Sequence, residues 1–158
     1  MISEAKSKGL WLAAAESLTG GALGAAIVSE PGASEVCLGS IVSYQDELKS
    51  QLLGVSAQLL AAQSAVEPEV AIQMAVGARE KMARARGVEI ERVIGISTTG
   101  VAGPDSVGSK PVGEVYLGVS STLGDRVYAE HFSGNREEIR AATLERALGL
   151  LRDEIAEI

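Results

Sequence analysis

Leu10-Trp11-Leu12-Ala13-Ala14-Ala15-Glu16-Ser17-Leu18-Thr19-Gly20-Gly21, continuing into the small-residue stretch 22–28, is the segment from which the fold is read. Residues 10–15 form a short apolar run. It ends abruptly in polar residues and two glycines, and Glu30-Pro31-Gly32 then breaks the small-residue stretch. The order is strand, tight loop, helix, which is the opening of an α/β layer architecture.

The same alternation continues along the chain. Residues 36–43 are β-prone, 46–53 read as a helix closed by Gly54, and Ser56 is placed to cap another short helix. Pro68 suits a first helical position, after which Val70, Met74, Ala78 and Met82 recur at four-residue spacing until Gly87. Residues 92–97 are a third strand, followed by the glycine-rich stretch 99–110. A loop of that length inside a small domain is usually functional or mobile. Residues 115–120 and 127–132 flank Thr122-Leu123-Gly124-Asp125 and read as a hairpin. The last element starts near Asn135 and carries Leu144, Leu148, Leu151 and Ile155 on one helical face. These elements predict a three-layer α/β/α sandwich with a mixed, mostly parallel sheet of about five strands. The hairpin adds an antiparallel pair to strands otherwise joined by crossovers.

Composition bounds the rest. A length of 158 residues, 46% apolar, is one domain's worth of chain, so 1–158 is taken as a single domain. Against 21 acidic residues stand 14 Lys and Arg, a net charge of −7 that opposes the counterion-release term of nucleic-acid binding. No nucleic-acid partner is expected. One cysteine, Cys37, and one histidine, His131, exclude disulfide scaffolds and Cys/His zinc clusters and fit a reducing compartment. Carboxylate-based metal binding stays open on composition. No apolar run approaches the roughly 18 residues that span a bilayer, and no signal core follows the N-terminus, so a cytoplasmic protein without membrane contact is expected.

Both loops of chemical interest follow strands, where open α/β sheets place ligand sites. In the first, Ser17 and Thr19 offer hydroxyls while Gly20 and Gly21 let backbone amides approach an anion. The same residues also read as an ordinary helix cap and turn. The loop is not the Gly-x-Ser-x-Gly elbow, because Ala15 and Thr19 hold the glycine places. The second loop, 97–113, imitates a phosphate loop through Gly103 and Gly108. The imitation fails where Ser109 holds the lysine position, Pro111 follows Lys110, and a strand rather than a helix comes next.

Lys49 lies five residues after Tyr44. Brought beside Ser17 with a depressed pKa, it would take the hydroxyl proton, with Tyr44 orienting or relaying it. The competing reading is a solvated helix lysine near Asp46. Arg136 and Arg140, four apart on the last helix, form either a clamp for a phosphate or carboxylate or ordinary pairs with Glu137, Glu138 or Glu145. His131 and Cys37 read as structural residues.

Taken together, these features resemble the CinA C-terminal domain family over nearly the whole chain. The resemblance rests on Ala15-Glu16-Ser17-x-Thr19-Gly20-Gly21, Pro31-Gly32-Ala33-Ser34, Val42-x-Tyr44 with Lys49, and Leu53-Gly54-Val55. It continues through Ala65-Val66, Thr99-Gly100-Val101-Ala102-Gly103-Pro104, Lys110-Pro111-Val112-Gly113 and Phe132-x-Gly134-x-Arg136-Glu137. It implies hydrolysis of nicotinamide mononucleotide to nicotinate mononucleotide and ammonia, with no metal or organic cofactor. In that family reading Ser17 is the nucleophile, Lys49 the general base and Tyr44 an assistant in proton transfer. Loss of ammonia would leave an acyl-enzyme ester on Ser17.

The resemblance also implies that backbone amides from Leu18 to Gly21 receive the oxyanion, and that Thr19, Gly20, Gly21, Thr99 and Gly100 meet the substrate. Arg136 and Arg140 would hold its phosphate, and the protein would be a homodimer. Leu18 stands where the family most often has Cys, and Glu67 where it has a helix-capping serine. Residues 105–109 are shorter and less glycine-rich than the family's run. That last departure motivates an alternative, a nucleotide-binding or partner-binding module that has kept the fold and lost turnover.

Overall fold

The computed structural model describes residues 1–158. Along the chain it contains α1 (Ile2–Ser7), β1 (Trp11–Glu16), α2 (Ala22–Val28), β2 (Cys37–Val42), α3 (Asp46–Leu53), α4 (Ala57–Ala62) and α5 (Pro68–Arg86). β3 (Val93–Gly100), β4 (Glu114–Ser121), β5 (Gly124–His131) and α6 (Arg136–Glu157) complete it, with two short 3-10 turns at Ala33–Glu35 and Ile90–Arg92.

β1 is buried on both faces, as a strand flanked by two parallel neighbours must be, and its residues divide by parity. Leu12 and Ala14 join a core with Ile2, Leu23, Ile27, Ile139 and Leu151, which places α1, α2 and α6 on one face of the sheet. Ala13 and Ala15 join Leu53, Val70, Met74 and Ala78, which places α3 and α5 on the other. The three layers expected from the sequence are therefore present. The sheet order is β2-β1-β3-β4-β5. β1 pairs in parallel with β2 and β3, whereas β4 runs antiparallel to β3 and β5. Four of the five strands thus point the same way, with β4 reversed.

Local chemistry explains the boundaries. Gly54 (φ 78°) and Gly87 (φ 73°) end α3 and α5 in the left-handed conformation that glycine adopts without strain. Asn135 closes a capping box with Glu138 at the start of α6. Ser56 caps α4 by accepting from the Leu59 amide at 3.3 Å. Glu67, at the N-cap of α5, makes no side-chain cap bond, as its departure from the family serine implies. Its carboxylate instead meets Lys110 Nζ at 3.0 Å.

β3 runs to Gly100, beyond the end at 97 read from the sequence. Thr98, Thr99 and Gly100 look loop-like by composition, but they pair with Leu117, Tyr116 and Val115 of β4. Their hydroxyls find internal partners, so polar residues are carried into a buried strand. No helix is long and apolar enough to cross a membrane.

Candidate active site

Parity along β1 also separates Glu16 from Ser17. Glu16 continues the even face, beneath α2, and is fully buried. Its Oε2 accepts from Thr19 Oγ1 (2.7 Å) and the amides of Gly21 (2.8 Å) and Leu23 (3.1 Å). Its Oε1 accepts from the Gly24 amide (2.8 Å) and Ser40 Oγ (2.6 Å). Burial alone would raise the pKa of this carboxyl. The bonds from Ser40, Gly24, Thr19 and Leu23 outweigh that, hold it below the ordinary glutamate value and keep it ionised. The anion read from the sequence at this helix start is thus the chain's own side chain. Thr19, which also shares a 2.8 Å hydrogen bond with Thr98, and Gly21 are engaged with Glu16, and the Gly20 amide donates to the Ser17 carbonyl at 3.1 Å. Thr19, Gly20 and Gly21 lie outside the cavity described next.

Ser17 belongs to the opposite parity. It lines a cavity of about 200 Å³ beyond the carboxyl ends of β1 and β3, together with Tyr44, Asp46, Lys49, Thr99, Gly100 and Arg136. Leu18, Ala65, Val66 and the turn 101–107 complete the wall. Ser17 is 8% exposed and Lys49 only 1%. The reading of Lys49 as a solvated helix lysine is therefore wrong: α3 delivers it inward. Its Nζ donates to the Tyr44 carbonyl at 3.0 Å and lies 3.5 Å from Asp46 Oδ1. Burial pulls its pKa below the ordinary lysine value, and Asp46 only partly offsets this. A hydroxyl and a desolvated amine in one cavity can act as nucleophile and base.

Tyr44 sits at the mouth, 52% exposed, and its hydroxyl accepts from Arg136 Nη2 at 3.2 Å. Arg136 Nη1 donates to the Gly103 carbonyl at 2.7 Å. Thr99 donates to the Ala65 carbonyl at 2.6 Å and so fixes one wall. Arg140 does not line the cavity, so the two arginines do not form one clamp. The Arg140 guanidinium donates to the main-chain carbonyls of Leu18 (2.9 Å, Nε) and Thr19 (3.0 Å, Nη2). Neither arginine pairs with Glu137, Glu138 or Glu145; both reach main chain instead.

Lys110 Nζ lies 3.0 Å from both Glu67 and Glu114 and fastens the foot of the 101–110 loop. Partial burial lowers its pKa, but the two carboxylates outweigh that and raise it. His131 is exposed and Cys37 half-buried, with burial raising its thiol pKa; neither reaches the cavity. No group of three or more His, Cys, Asp or Glu side chains is arranged for a metal ion. Hollows of about 480 Å³ along residues 28–39 and about 280 Å³ between α3 and α4 contain no buried nucleophile or base.

Two features of this site escape a reading by residue. The role of Glu16 is signalled only by a carboxylate ending an otherwise apolar strand just before two glycines. The main-chain grip of Arg140 has no signal at all.

Comparison with known proteins agrees with this architecture. The profile of the CinA C-terminal domain matches residues 1–155. A CinA-like protein of Gemmatimonas aurantiaca is 40% identical over 153 residues, 96% of this chain and 34% of that protein. One from Citrifermentans bemidjiense is 43% identical over 148 residues, 93% of this chain and 34% of that protein. The chain thus spans about a third of the length of the curated relatives it matches. Among solved structures, the competence/damage inducible protein CihA of Agrobacterium tumefaciens superposes with a TM-score of 0.86 at 32% identity, covering 96% of this chain and 89% of that one. A CinA superfamily protein from Klebsiella pneumoniae superposes with a TM-score of 0.87 at 27% identity, covering 99% and 94%. The chain belongs to the CinA C-terminal domain family.

Proposed function

We propose that the protein hydrolyses nicotinamide mononucleotide to nicotinate mononucleotide and ammonia. One observation carries this reading beyond family membership: Ser17 and Lys49 line the same cavity, with Lys49 buried and its pKa depressed. Neutral Lys49 takes the proton of Ser17 Oγ, which attacks the carboxamide carbon, and the carbonyl oxygen becomes an oxyanion. Protonated Lys49 then delivers its proton to the departing nitrogen. Ammonia leaves, and an ester remains on Ser17. Water, giving its proton to Lys49, attacks that ester; nicotinate mononucleotide departs and Ser17 recovers its proton. Thr99 and Gly100 form the wall against the substrate. Arg136, the guanidinium at the mouth, supplies positive charge for the phosphate while Tyr44 steadies it.

Purified protein is expected to release ammonia from the mononucleotide, with Ser17→Ala and Lys49→Ala each losing at least about 10³-fold in kcat. Full activity in Ser17→Ala would remove this serine as nucleophile. The tight 107–110 turn, closed by reciprocal Val107 and Lys110 main-chain bonds, favours a second reading in which a small lid loop binds the nucleotide without turnover. Saturable binding with no ammonia between pH 6 and 10 would decide for it.

A further inference from the structure

The turn after Ser17 is gripped from two sides. On one side Glu16 holds Thr19, Gly21, Leu23 and Gly24. On the other, α6 reaches across with Arg140, whose Nε and Nη2 take the carbonyls of Leu18 and Thr19. Gly20, at φ 61°, lies against that guanidinium: a Cβ there would stand 3.7 Å from Nη2.

This grip fixes peptide direction. A trans peptide sets its N–H opposite its C=O, so a Leu18 carbonyl turned onto Arg140 turns the Thr19 N–H away from it. Likewise the Ser17 carbonyl accepts from the Gly20 amide, which turns the Leu18 N–H the other way. Within the turn, the amides of Gly20 and Gly21 are already engaged, whereas those of Leu18 and Thr19 have no acceptor in the protein. Of the two, Thr19 is fully buried outside the cavity, whereas Leu18, the residue immediately after the nucleophile, lines it.

We propose that Arg140 is a positioning residue for the oxyanion hole: it holds the Leu18–Thr19 main chain, and with it the turn after Ser17, so that the Leu18 amide receives the negative oxygen formed when Ser17 attacks. This rests on the amidase reading, and it withdraws Arg140 from the substrate phosphate. The oxyanion exists only after attack, so loss of this support lowers kcat and leaves substrate binding nearly intact.

The test compares the wild-type chain with Arg140→Ala and with Arg140→Lys, which can keep one of the two bonds, after matching melting curves. Hydrolysis of the mononucleotide is expected to lose about 10²-fold in kcat in Arg140→Ala and about tenfold in Arg140→Lys, with KM changed less than about threefold. The acid limb of the pH profile should stay where it is, because Lys49 is untouched. A KM rise of about tenfold with kcat kept would make Arg140 a substrate ligand and overturn the proposal, as would unchanged kinetics. If Arg140→Ala does not melt cooperatively, Arg140→Lys carries the comparison.

A second readout separates this from failure of the amidase reading. A fluorophosphonate forms an Oγ–P bond with Ser17, expels fluoride and passes the hydroxyl proton to Lys49, and its phosphoryl oxygen needs the same Leu18 amide. If the wild type releases no ammonia, the amidase reading alone falls. Labelling followed by intact mass then decides, with a slowing of about tenfold or more expected in Arg140→Ala. Equal labelling rates, or no labelling of the wild type, would overturn the role given to Arg140.

Discussion

In the amidase proposed above, Lys49 sets the sign of the pH dependence: as the base it would work neutral, and its pKa lies below the ordinary lysine value because burial disfavours the ammonium form. We therefore expect kcat/KM to rise with pH along a limb centred below about 10.4, the value of a free lysine, and to level off above it. Initial-rate ammonia assays from pH 6 to 10.5 check this; a falling profile over that range would remove Lys49 as the base. The types and order of Ser17, Tyr44 and Lys49 were legible in the sequence. The burial of Lys49 was not, because it depends on α3 turning that one position beneath the 44–46 turn. The engagement of Thr19 and Gly21 was not legible for a related reason: composition shows donors at a helix start and cannot show that Glu16, from the preceding strand, accepts from the Thr19 hydroxyl and the Gly21 amide.

At the level of elements, α5 lies unusually close to the sheet. A Cβ on Gly95 would fall on the Ala75 carbonyl, and one on Gly118 on the Ala71 carbonyl, the same oxygen to which Ser97 Oγ donates at 2.6 Å. Glycine at these strand positions lets the helix backbone approach the sheet this closely. Gly118→Ala is expected to destabilise the fold by about 1–3 kcal/mol, the usual range for overpacking, read as a lower urea midpoint. A midpoint equal to wild type would mean that α5 moves aside freely. Helix ends at Gly54, Gly87 and Asn135 were readable because each stop has a local chemical cause. The end of β3 was not, since its last three residues become strand only through pairing with β4.

For the whole molecule, a net charge of −7 includes one carboxylate that is structural. The folded pKa of Glu16 lies below its unfolded value, so it adds stability that is fully present above the unfolded pKa. That stability is lost as pH falls through the folded one. Glu16→Gln is expected to cost about 2 kcal/mol at pH 7 by urea unfolding, and the gap from wild type should narrow toward pH 3. A gap that does not change with pH would show that charge is not what Glu16 contributes. Composition read from the sequence had already narrowed the chemistry, because one histidine and one cysteine leave few routes for hydrolysis other than a hydroxyl with an amine.

The two-sided packing of β1 bears on how this segment can change. Its side chains alternate between the layers, so Glu16 enters the α2 layer and Ser17 the α3 layer by odd and even count alone. Replacing Ala13 with another small residue alters packing at one point. Deleting it would rotate everything after it by half a turn, aiming the carboxylate at the cavity and the hydroxyl at the helix start. Strand β1 therefore tolerates spelling changes but not frame shifts of one residue, and length variation in this lineage is expected before residue 10 or after residue 28 rather than between them.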